Sequence, residues 1–175
     1  MSRPRASRTL ENSIRRYGYV HVAGVDEVGR GCLAGPVVAG AVILQPDHYV
    51  PGVADSKVLT AADRECLFGD ICGAAVAWHV SIVPPAEIDR INIHRASLQA
   101  MRDAIMALVP LPSFVLVDGF RVPDLLMPQR PVIGGDRRST ASAAASILAK
   151  VTRDRLMAEL HAQDPRYGFD QHKGY

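Results

Sequence analysis

The chain has 175 residues, of which 48% are hydrophobic and 22% are charged, and its net charge is +2. This composition is close to the average of globular proteins and excludes general disorder, because aliphatic residues are abundant and the net charge is small. A membrane span is also excluded, since apolar runs such as residues 33–44 fall well short of the roughly 20 residues that a span needs. We therefore predict a single domain over residues 1–175.

Basic residues are concentrated in two segments, the first 16 residues and the stretch from 130 to 155. Local basic surfaces of this kind are compatible with a partner that carries phosphates, although arginines are also ordinary surface residues. The three cysteines lack the spacing of metal ligands, and no apolar signal sequence follows the basic N-terminus. A reducing, cytoplasmic location is therefore expected.

In chain order, residues 1–17 are predicted to form a basic arm or a short helix. Two strands follow, at residues 19–25 and 37–44, and the second is a continuous apolar run typical of a strand buried on both faces. The link between them contains the tight, glycine-rich sequence of residues 26–31, which favours a hairpin.

The rest of the chain alternates between helical and extended patterns. Thr60 is predicted to cap a helix that reaches residue 72, and a third strand follows at residues 74–83. Further on we predict a short helix at 85–90, a helix at 96–108, short strands at 114–117 and 131–133, and a long alanine-rich helix at 139–163. This order predicts three antiparallel strands extended by parallel ones, that is, a mixed α/β sheet covered by helices. The alanines of the long helix indicate that it packs closely on the sheet.

Carboxylates stand beside glycines at the ends of three predicted strands, in the sequences of Asp26 and Glu27, of Asp118 and of Asp136. Strand ends are where sites gather in α/β sheets, and clustered carboxylates either take up protons or hold a hard cation such as Mg²⁺ or Mn²⁺. Neighbouring residues of a strand point to opposite faces. We therefore expect the strand to break at Asp26 and Glu27 if the two acids share a site. Each acid by itself is also typical of a turn, so spacing alone does not define a substrate.

Two long segments resemble a known family. Residues 24–44, GVDEVGRGCLAGPVVAGAVIL, closely resemble the opening signature of ribonuclease HII, the type 2 ribonuclease H, and residues 142–154, SAAASILAKVTRD, resemble another signature of that family. Shorter matches follow in the family's order over roughly residues 19–175, at 55–57, 91–93, 117–119, 134–136 and 167–175. Two long signatures in order are much more specific than a lone glycine motif.

The resemblance implies a ribonuclease H-like mixed five-stranded sheet flanked by helices, and an endonuclease dependent on Mn²⁺ or Mg²⁺. Family members cut the RNA strand of RNA–DNA hybrids and cut duplex DNA at embedded ribonucleotides, which implies a role in ribonucleotide excision repair. The metal-binding and catalytic acids carried over by position are Asp26, Glu27, Asp118 and Asp136. The substrate-binding residues carried over are Gly29, Arg30 and Gly31, which would sense the ribose 2′-hydroxyl, Tyr175, which would pack on the sugar, and Ser146 and Lys150, near the nucleic-acid backbone. The expected products carry 3′-hydroxyl and 5′-phosphate ends, because water is the expected nucleophile.

Two departures from the family pattern and two alternatives qualify this interpretation. Residues 55–59 read DSKVL where the family often has DSKKL, and family members usually continue past the HKGY sequence with a further helical segment. The alternatives are a strand-transfer nuclease on a similar sheet, which would not need to sense a ribose, and a non-catalytic module that binds hybrids. Asp154 is expected to be a structural ion-pair partner of a neighbouring arginine, no histidine is assigned to a metal, and a monomer is expected.

Overall fold

The computed structural model describes residues 7–53 and 56–175. Its helices and strands are, in chain order, α1 (Thr9–Arg16), β1 (Val22–Val28), β2 (Val37–Leu44), α2 (Ala61–Ala74), β3 (Ala75–Val83), α3 (Pro85–Ile91), α4 (Ile93–Met106), β4 (Phe114–Asp118), β5 (Gln129–Val132), α5 (Gly135–Arg138), α6 (Thr140–Gln163) and α7 (Phe169–His172). Short 3₁₀ helices cover Ser56–Val58 and Pro165–Tyr167. None of the helices within these ranges combines the length and apolarity that crossing a bilayer requires.

The five strands form one sheet in the order β3-β2-β1-β4-β5. Strands β1, β2 and β3 pair antiparallel, whereas β4 joins β1 in parallel and β5 joins β4 in parallel. The mixed sheet predicted from the sequence is therefore confirmed. Val25 of β1 is aligned with Val117 of β4, so the residues that follow them, Asp26 and Asp118, lie at the same edge of the sheet.

Helices cover both faces of the sheet. Helix α4 packs on the face that carries Val25 and Ala39, and helices α2 and α6 pack on the face that carries Val42 and Leu44. Strand β2 is buried along its whole length, as its continuous apolar run predicts. The two apolar clusters fix which face of each strand meets which helix, and this assignment decides where the side chains of the site point.

Helix α6 approaches the sheet at two glycines. A Cβ atom on Gly24 of β1 would lie 2.2 Å from the carbonyl carbon of Ala141, and one on Gly40 of β2 would lie 2.4 Å from the carbonyl oxygen of Ala145. Such distances leave no space for a methyl group, so the backbone of α6 lies directly on the strands. The close packing predicted from the alanines of this helix is confirmed.

Capping side chains set two of the helix boundaries. Thr60 caps α2 as predicted, since its hydroxyl accepts a hydrogen bond from the amide of Asp63 at 3.1 Å and the Asp63 carboxylate accepts one from the Thr60 amide at 3.3 Å. Helix α4 begins at Ile93, earlier than the predicted residue 96, because the Asn92 side chain accepts a hydrogen bond from the amide of Arg95.

Strand β1 is displaced along the chain from its prediction. It covers Val22–Val28 instead of residues 19–25, and so continues through both acids. The backbone of His21 is bonded outside the ladder, where its amide donates to the Ser113 hydroxyl at 3.0 Å. Strand β5 likewise begins two residues before the predicted residue 131, and the single turn of α5 was not predicted.

The described part of the predicted N-terminal arm is helix α1, and Arg3 and Arg5 of that arm lie outside the described residues. Glu11 is 2% exposed, and its carboxylate accepts hydrogen bonds from the Ser139 hydroxyl at 2.9 Å and the Ala141 amide at 2.8 Å. A carboxylate at the N-terminus of a helix is stabilised by the helix dipole. Helix α1 is therefore attached to the start of α6, and the short-helix alternative for residues 1–17 describes this part of the chain.

We predict that Gly40→Ala lowers the free energy of unfolding by about 1–3 kcal/mol, because its methyl group would force α6 away from the sheet. Chemical denaturation measures this difference. Gly69→Ala is the matched control, since a Cβ there meets nothing within 4 Å and alanine favours the interior of helix α2. Equal stability of the two variants would contradict the close approach of α6.

Candidate active site

The candidate site lies at the edge of the sheet where the parallel strands β1 and β4 end. Asp26 is 8% exposed, and its own carboxylate accepts a hydrogen bond from the amide of Glu27 at 2.8 Å. Burial raises the pKa of Asp26 well above its usual range, and the negative charges of Asp118 and Glu27 raise it further. The three carboxylates are therefore close enough to repel one another.

Asp26 and Glu27 nevertheless point to opposite faces of the sheet. Asp26 is paired with Gly40, which contacts α6, whereas Glu27 is paired with Ala39, which packs against α4. The expected break in the strand is wrong, because β1 keeps its pairing with β2 as far as Val28 and its side chains continue to alternate.

Serine hydroxyls accompany the two acids on their separate faces. The Ser146 hydroxyl lies beside Asp26 and opposes the rise of its pKa. Burial raises the pKa of Glu27, while the Ser97 hydroxyl and the Arg30 guanidinium oppose the rise and the charge of Asp118 adds to it. Asp118 acts on both acids because all three lie at the end of their strands.

Asp118 and Asp136 are connected through the start of α5. The Asp118 carboxylate accepts a hydrogen bond from the amide of Gly135 at 3.0 Å, so the end of β4 holds the residue next to Asp136. Asp136 is 3% exposed and forms an ion pair of 3.6 Å with Lys57. Lys57 belongs to the DSK sequence, whose first residue, Asp55, lies outside the described residues. The structure therefore places Asp136 at the same edge of the sheet as the other acids.

The donor set fits a hard divalent cation. Asp26 is buried, and two neighbouring carboxylates disfavour its charged form, so a bound cation would stabilise that charged form. Among divalent cations, Mg²⁺ and Mn²⁺ are the ones suited to a site made of carboxylate oxygens. Within residues 7–53 and 56–175, no three carboxylate, imidazole or thiol groups stand together as a ready set of metal ligands. Sharing one cation therefore requires these acid side chains to move together from the positions described here.

The glycine-rich loop that follows β1 is held from behind by a buried arginine. Gly29 has a φ of +99°, and a Cβ there would lie 2.7 Å from Nε of Arg153. Arg153 is fully buried and donates hydrogen bonds to the carbonyls of Pro36, Lys173 and Ala34 at 2.9, 2.7 and 2.8 Å. One guanidinium therefore joins the loop to the last residues of the chain.

The same contact region contains Tyr175. The carbonyl of Gly174 accepts hydrogen bonds from the amides of Leu33 and Ala34 at 2.8 and 3.2 Å. Tyr175 is 63% exposed, and partial burial of its hydroxyl together with the neighbouring Cys32 raises its pKa. The predicted sugar-sensing loop and the predicted sugar-packing tyrosine are therefore neighbours, although more than 140 residues separate them in the sequence.

Ser146 and Lys150, the other predicted substrate residues, have partners within the protein. The Ser146 hydroxyl shares a hydrogen bond of 2.9 Å with the Ser56 hydroxyl, and the Lys150 ammonium donates to Asp154 at 2.8 Å. Asp154 also pairs with Arg64 at 3.6 Å, which confirms its expected structural role beside an arginine. Lys150 is 20% exposed in its side chain, so it is neither a fully solvated lysine nor an unpaired one.

Sequence reasoning counted Arg153 within the basic surface segment at residues 130–155, which is wrong for this residue because its side chain is fully buried. A signal is present, because Arg153 stands four residues from both Ala149 and Met157 and therefore lies on the apolar stripe of α6. A charged residue at such a position must be buried with hydrogen-bond partners. Its partners are carbonyls of distant segments, and no sequence pattern identifies them in advance.

Comparison with known proteins gives a consistent result. A family model described as Ribonuclease HII matches residues 23–175. The protein called Ribonuclease HII of Mycobacterium ulcerans strain Agy99 is 52% identical over 170 residues, which cover 96% of this chain and 71% of that protein.

Solved structures agree on the fold. The ribonuclease H2 of Pyrococcus horikoshii OT3 superposes with a TM-score of 0.75 at 29% identity, over 88% of this chain and 80% of that one. The Bst-RNase HIII, solved in complex with Mn²⁺, has a TM-score of 0.65 at 18% identity, over 83% of this chain and 55% of that one. The sheet described above is therefore a ribonuclease H fold, as the family resemblance of the sequence implied.

We predict that Asp26→Asn stabilises the metal-free protein at neutral pH. The folded-state pKa of Asp26 is raised, so its carboxylate destabilises the fold progressively as the pH rises through the unfolded pKa towards the folded one. We expect a gain in unfolding free energy at pH 7 and almost none at pH 3, where Asp26 is largely protonated in both the folded and the unfolded protein.

Denaturation in EDTA at both pH values measures this gain, and the exposed Asp89 of α3 supplies the control variant Asp89→Asn. A gain for Asp26→Asn that is the same at pH 3 and pH 7, or no gain at all, would show that charge repulsion at Asp26 is not the cause.

Proposed function

Because the chain belongs to the ribonuclease HII family and is accordingly a ribonuclease H endonuclease, we propose that it cuts duplex DNA at single embedded ribonucleotides as well as RNA in RNA–DNA hybrids. The observation that carries the proposal is the position of the loop at residues 29–31. The loop follows directly on Asp26 and Glu27, and Arg153 packs against Gly29 while it donates to the carbonyls of Ala34 and Lys173, which keeps this segment near Tyr175. A loop that recognises a ribose is therefore attached to the strand that carries two of the acids.

We propose that Asp26, Glu27, Asp118 and Asp136 hold the divalent cation on which the family depends. When bound, Mn²⁺ or Mg²⁺ activates a water and stabilises the leaving oxygen of a phosphodiester. Because water and not the 2′-hydroxyl is the nucleophile, the products would carry 3′-hydroxyl and 5′-phosphate ends. The ion pair between Lys57 and Asp136 supports this assignment, because an acid of this site lies beside a positively charged group.

The residues of the loop would read the substrate through their backbone. The 2′-hydroxyl is the group that distinguishes RNA from DNA at a nucleotide, and glycines at positions 29 and 31 allow the backbone to approach it closely. No heavy atom stands within 4 Å of the place that a Cβ on Gly31 would occupy, so this side of the loop is open to a ligand. The guanidinium of Arg30 would bind a phosphate beside the ribose with two parallel hydrogen bonds.

The remaining assignments place side chains along the substrate. The exposed ring of Tyr175 would pack on the sugar at the RNA–DNA junction, and Ser146 and Lys150 would lie near the nucleic-acid backbone. Lys150 would contact the nucleic-acid backbone while paired with Asp154, so it would contribute less to substrate affinity than an unpaired lysine.

We place the protein in the cytoplasm as a monomer acting in ribonucleotide excision repair. Its three cysteines form no disulfide, which supports a reducing compartment.

The glycine-rich loop at residues 29–31, open on the side of Gly31, favours this function over a strand-transfer nuclease, which would not need to sense a ribose. Three duplexes separate the possibilities: DNA alone, DNA with one ribonucleotide, and an RNA–DNA hybrid. We expect cleavage of the second and third with Mn²⁺ or Mg²⁺ and no cleavage of the first. Equal cleavage of all three would overturn the proposed ribose recognition. Binding of the hybrid without turnover at saturating Mn²⁺ would support a non-catalytic module.

We predict that Asp118→Asn lowers kcat by at least about 100-fold, because it removes a charged ligand of the cation and alters the field on Asp26 and Glu27. The rate of cleavage of the single-ribonucleotide duplex measures the loss, and Asp89→Asn is the control. Extension of the cut strand by a DNA polymerase tests for the expected 3′-hydroxyl. Cleavage by Asp118→Asn at the unaltered rate would refute the metal assignment.

A further inference from the structure

The side chain of Arg30 is held by three residues from three different elements. Its guanidinium lies 3.8 Å from the Glu27 carboxylate at the end of β1 and 3.1 Å from Nδ1 of His94 in α4. It also lies over the ring of Phe120, 4.9 Å from the ring centroid, in the loop after β4. The assignments made above give no role to His94 or Phe120.

His94 and Phe120 also contact each other. Their rings meet edge to face, with centroids 5.5 Å apart and an angle of 87° between the planes. Arginine has donors only, so in this hydrogen bond Nδ1 of His94 is the acceptor. Phe120 is 55% exposed and follows Gly119, whose φ of +81° makes the turn that brings the ring beside Arg30. The two rings thus form a corner that receives the guanidinium.

We propose that His94 and Phe120 are positioning residues that hold the Arg30 guanidinium in the orientation in which it binds a substrate phosphate. This inference rests on the proposed function, since it deepens the role of Arg30 in recognising a ribonucleotide-containing strand. His94 and Phe120 act through Arg30 and determine affinity, and they take no part in the chemical step.

The physical argument is one of preorganisation. The ion pair between Arg30 and Glu27 is long, at 3.8 Å, so by itself it restricts the Arg30 side chain only weakly, and a free arginine side chain loses considerable rotamer entropy when it binds. A cation–π contact and a hydrogen bond restrict the side chain before the substrate arrives, so less entropy is lost on binding. The Arg30 side chain remains 36% exposed, and it has more N–H donors than these contacts use, so a phosphate still has access to it.

The test is a double-mutant cycle on cleavage of the single-ribonucleotide duplex. We expect Phe120→Leu and His94→Ala each to raise KM by about two- to fivefold with kcat nearly unchanged, and Phe120→Tyr, which keeps the ring, to retain the original KM. In an Arg30→Ala background, Phe120→Leu should cause no further rise in KM, because the group that it positions is already absent. A residue with a general structural role would affect both backgrounds and would lower kcat as well.

A matched control comes from the opposite end of the sheet. Tyr49 is 51% exposed and lies 5.9 Å from the guanidinium of Arg8, in the loop after β2. Tyr49→Leu thus removes an exposed ring from an arginine with no expected effect on KM. Denaturation curves of all variants verify folding.

An equal rise in KM in both backgrounds would overturn the proposal, because Phe120 would then contact the substrate by itself. An unchanged or lowered KM would also overturn it, since the corner would then hold Arg30 away from the phosphate. If the wild type does not cut this duplex, the proposed function fails separately. The same double-mutant cycle is then measured as the Kd of the duplex in EDTA by fluorescence anisotropy. An equal rise in Kd in both backgrounds, or an unchanged or lowered Kd, would overturn the positioning role of Phe120.

Discussion

The architecture of the site depends on the close approach of helix α6 to strands β1 and β2 at Gly24 and Gly40. Because no Cβ fits at either glycine, the helix lies on the strands at backbone distance, and the alanines on its inner face fill the remaining space. This contact brings the Ser146 hydroxyl beside Asp26 and orients the start of α6 towards the end of β4. The buried Glu11 of α1 accepts hydrogen bonds at the N-terminus of α6 and so fixes the position of that end of the helix on the sheet.

The same helix positions the loop proposed to bind the substrate by a different interaction. Arg153 carries a positive charge into the interior, where it pairs with no carboxylate of the described residues and donates to three backbone carbonyls. Loss of the guanidinium would leave those carbonyls without their donor, at a cost of about 1–3 kcal/mol for each one that stays buried. The guanidinium thus connects residues 29–36, helix α6 and residues 173–175. The acidic edge of the sheet and the loop proposed to read the ribose are therefore both positioned by helix α6, the edge by its first turns and the loop by Arg153 near its middle.

Local signals explain what the sequence could predict. The apolar run of β2, the capping residue Thr60 and the alanines of α6 act within a few residues, and each of these three elements was predicted within two residues of its observed bounds. The limits of β1 were missed because propensity favours Tyr19 and Val20 over two acids. In the fold the acids stay in the strand because β2 pairs with them. The resemblance to the family predicted that the acids lie together. The placement of Asp26 and Glu27 on opposite faces depends on how β1 pairs with β2, which the sequence does not specify. The contacts of Arg153, and those of Arg30 with His94 and Phe120, join segments far apart in the chain, which no local pattern specifies.

The alternation of Asp26 and Glu27 also has an energetic consequence. Two adjacent carboxylates on one face would repel each other strongly, whereas opposite faces separate their charges and leave Asp118 to act on each. Burial still disfavours the ionised form of Asp26, so the metal-free protein retains an electrostatic cost at its acid edge. A divalent cation would convert this repulsion into attraction, and the free energy released would appear both as metal affinity and as stability of the fold. The edge of the sheet that carries the four acids therefore lowers the stability of the metal-free protein. The close contact of α6 with Gly24 and Gly40 keeps the strands in place despite the repulsion between the acids.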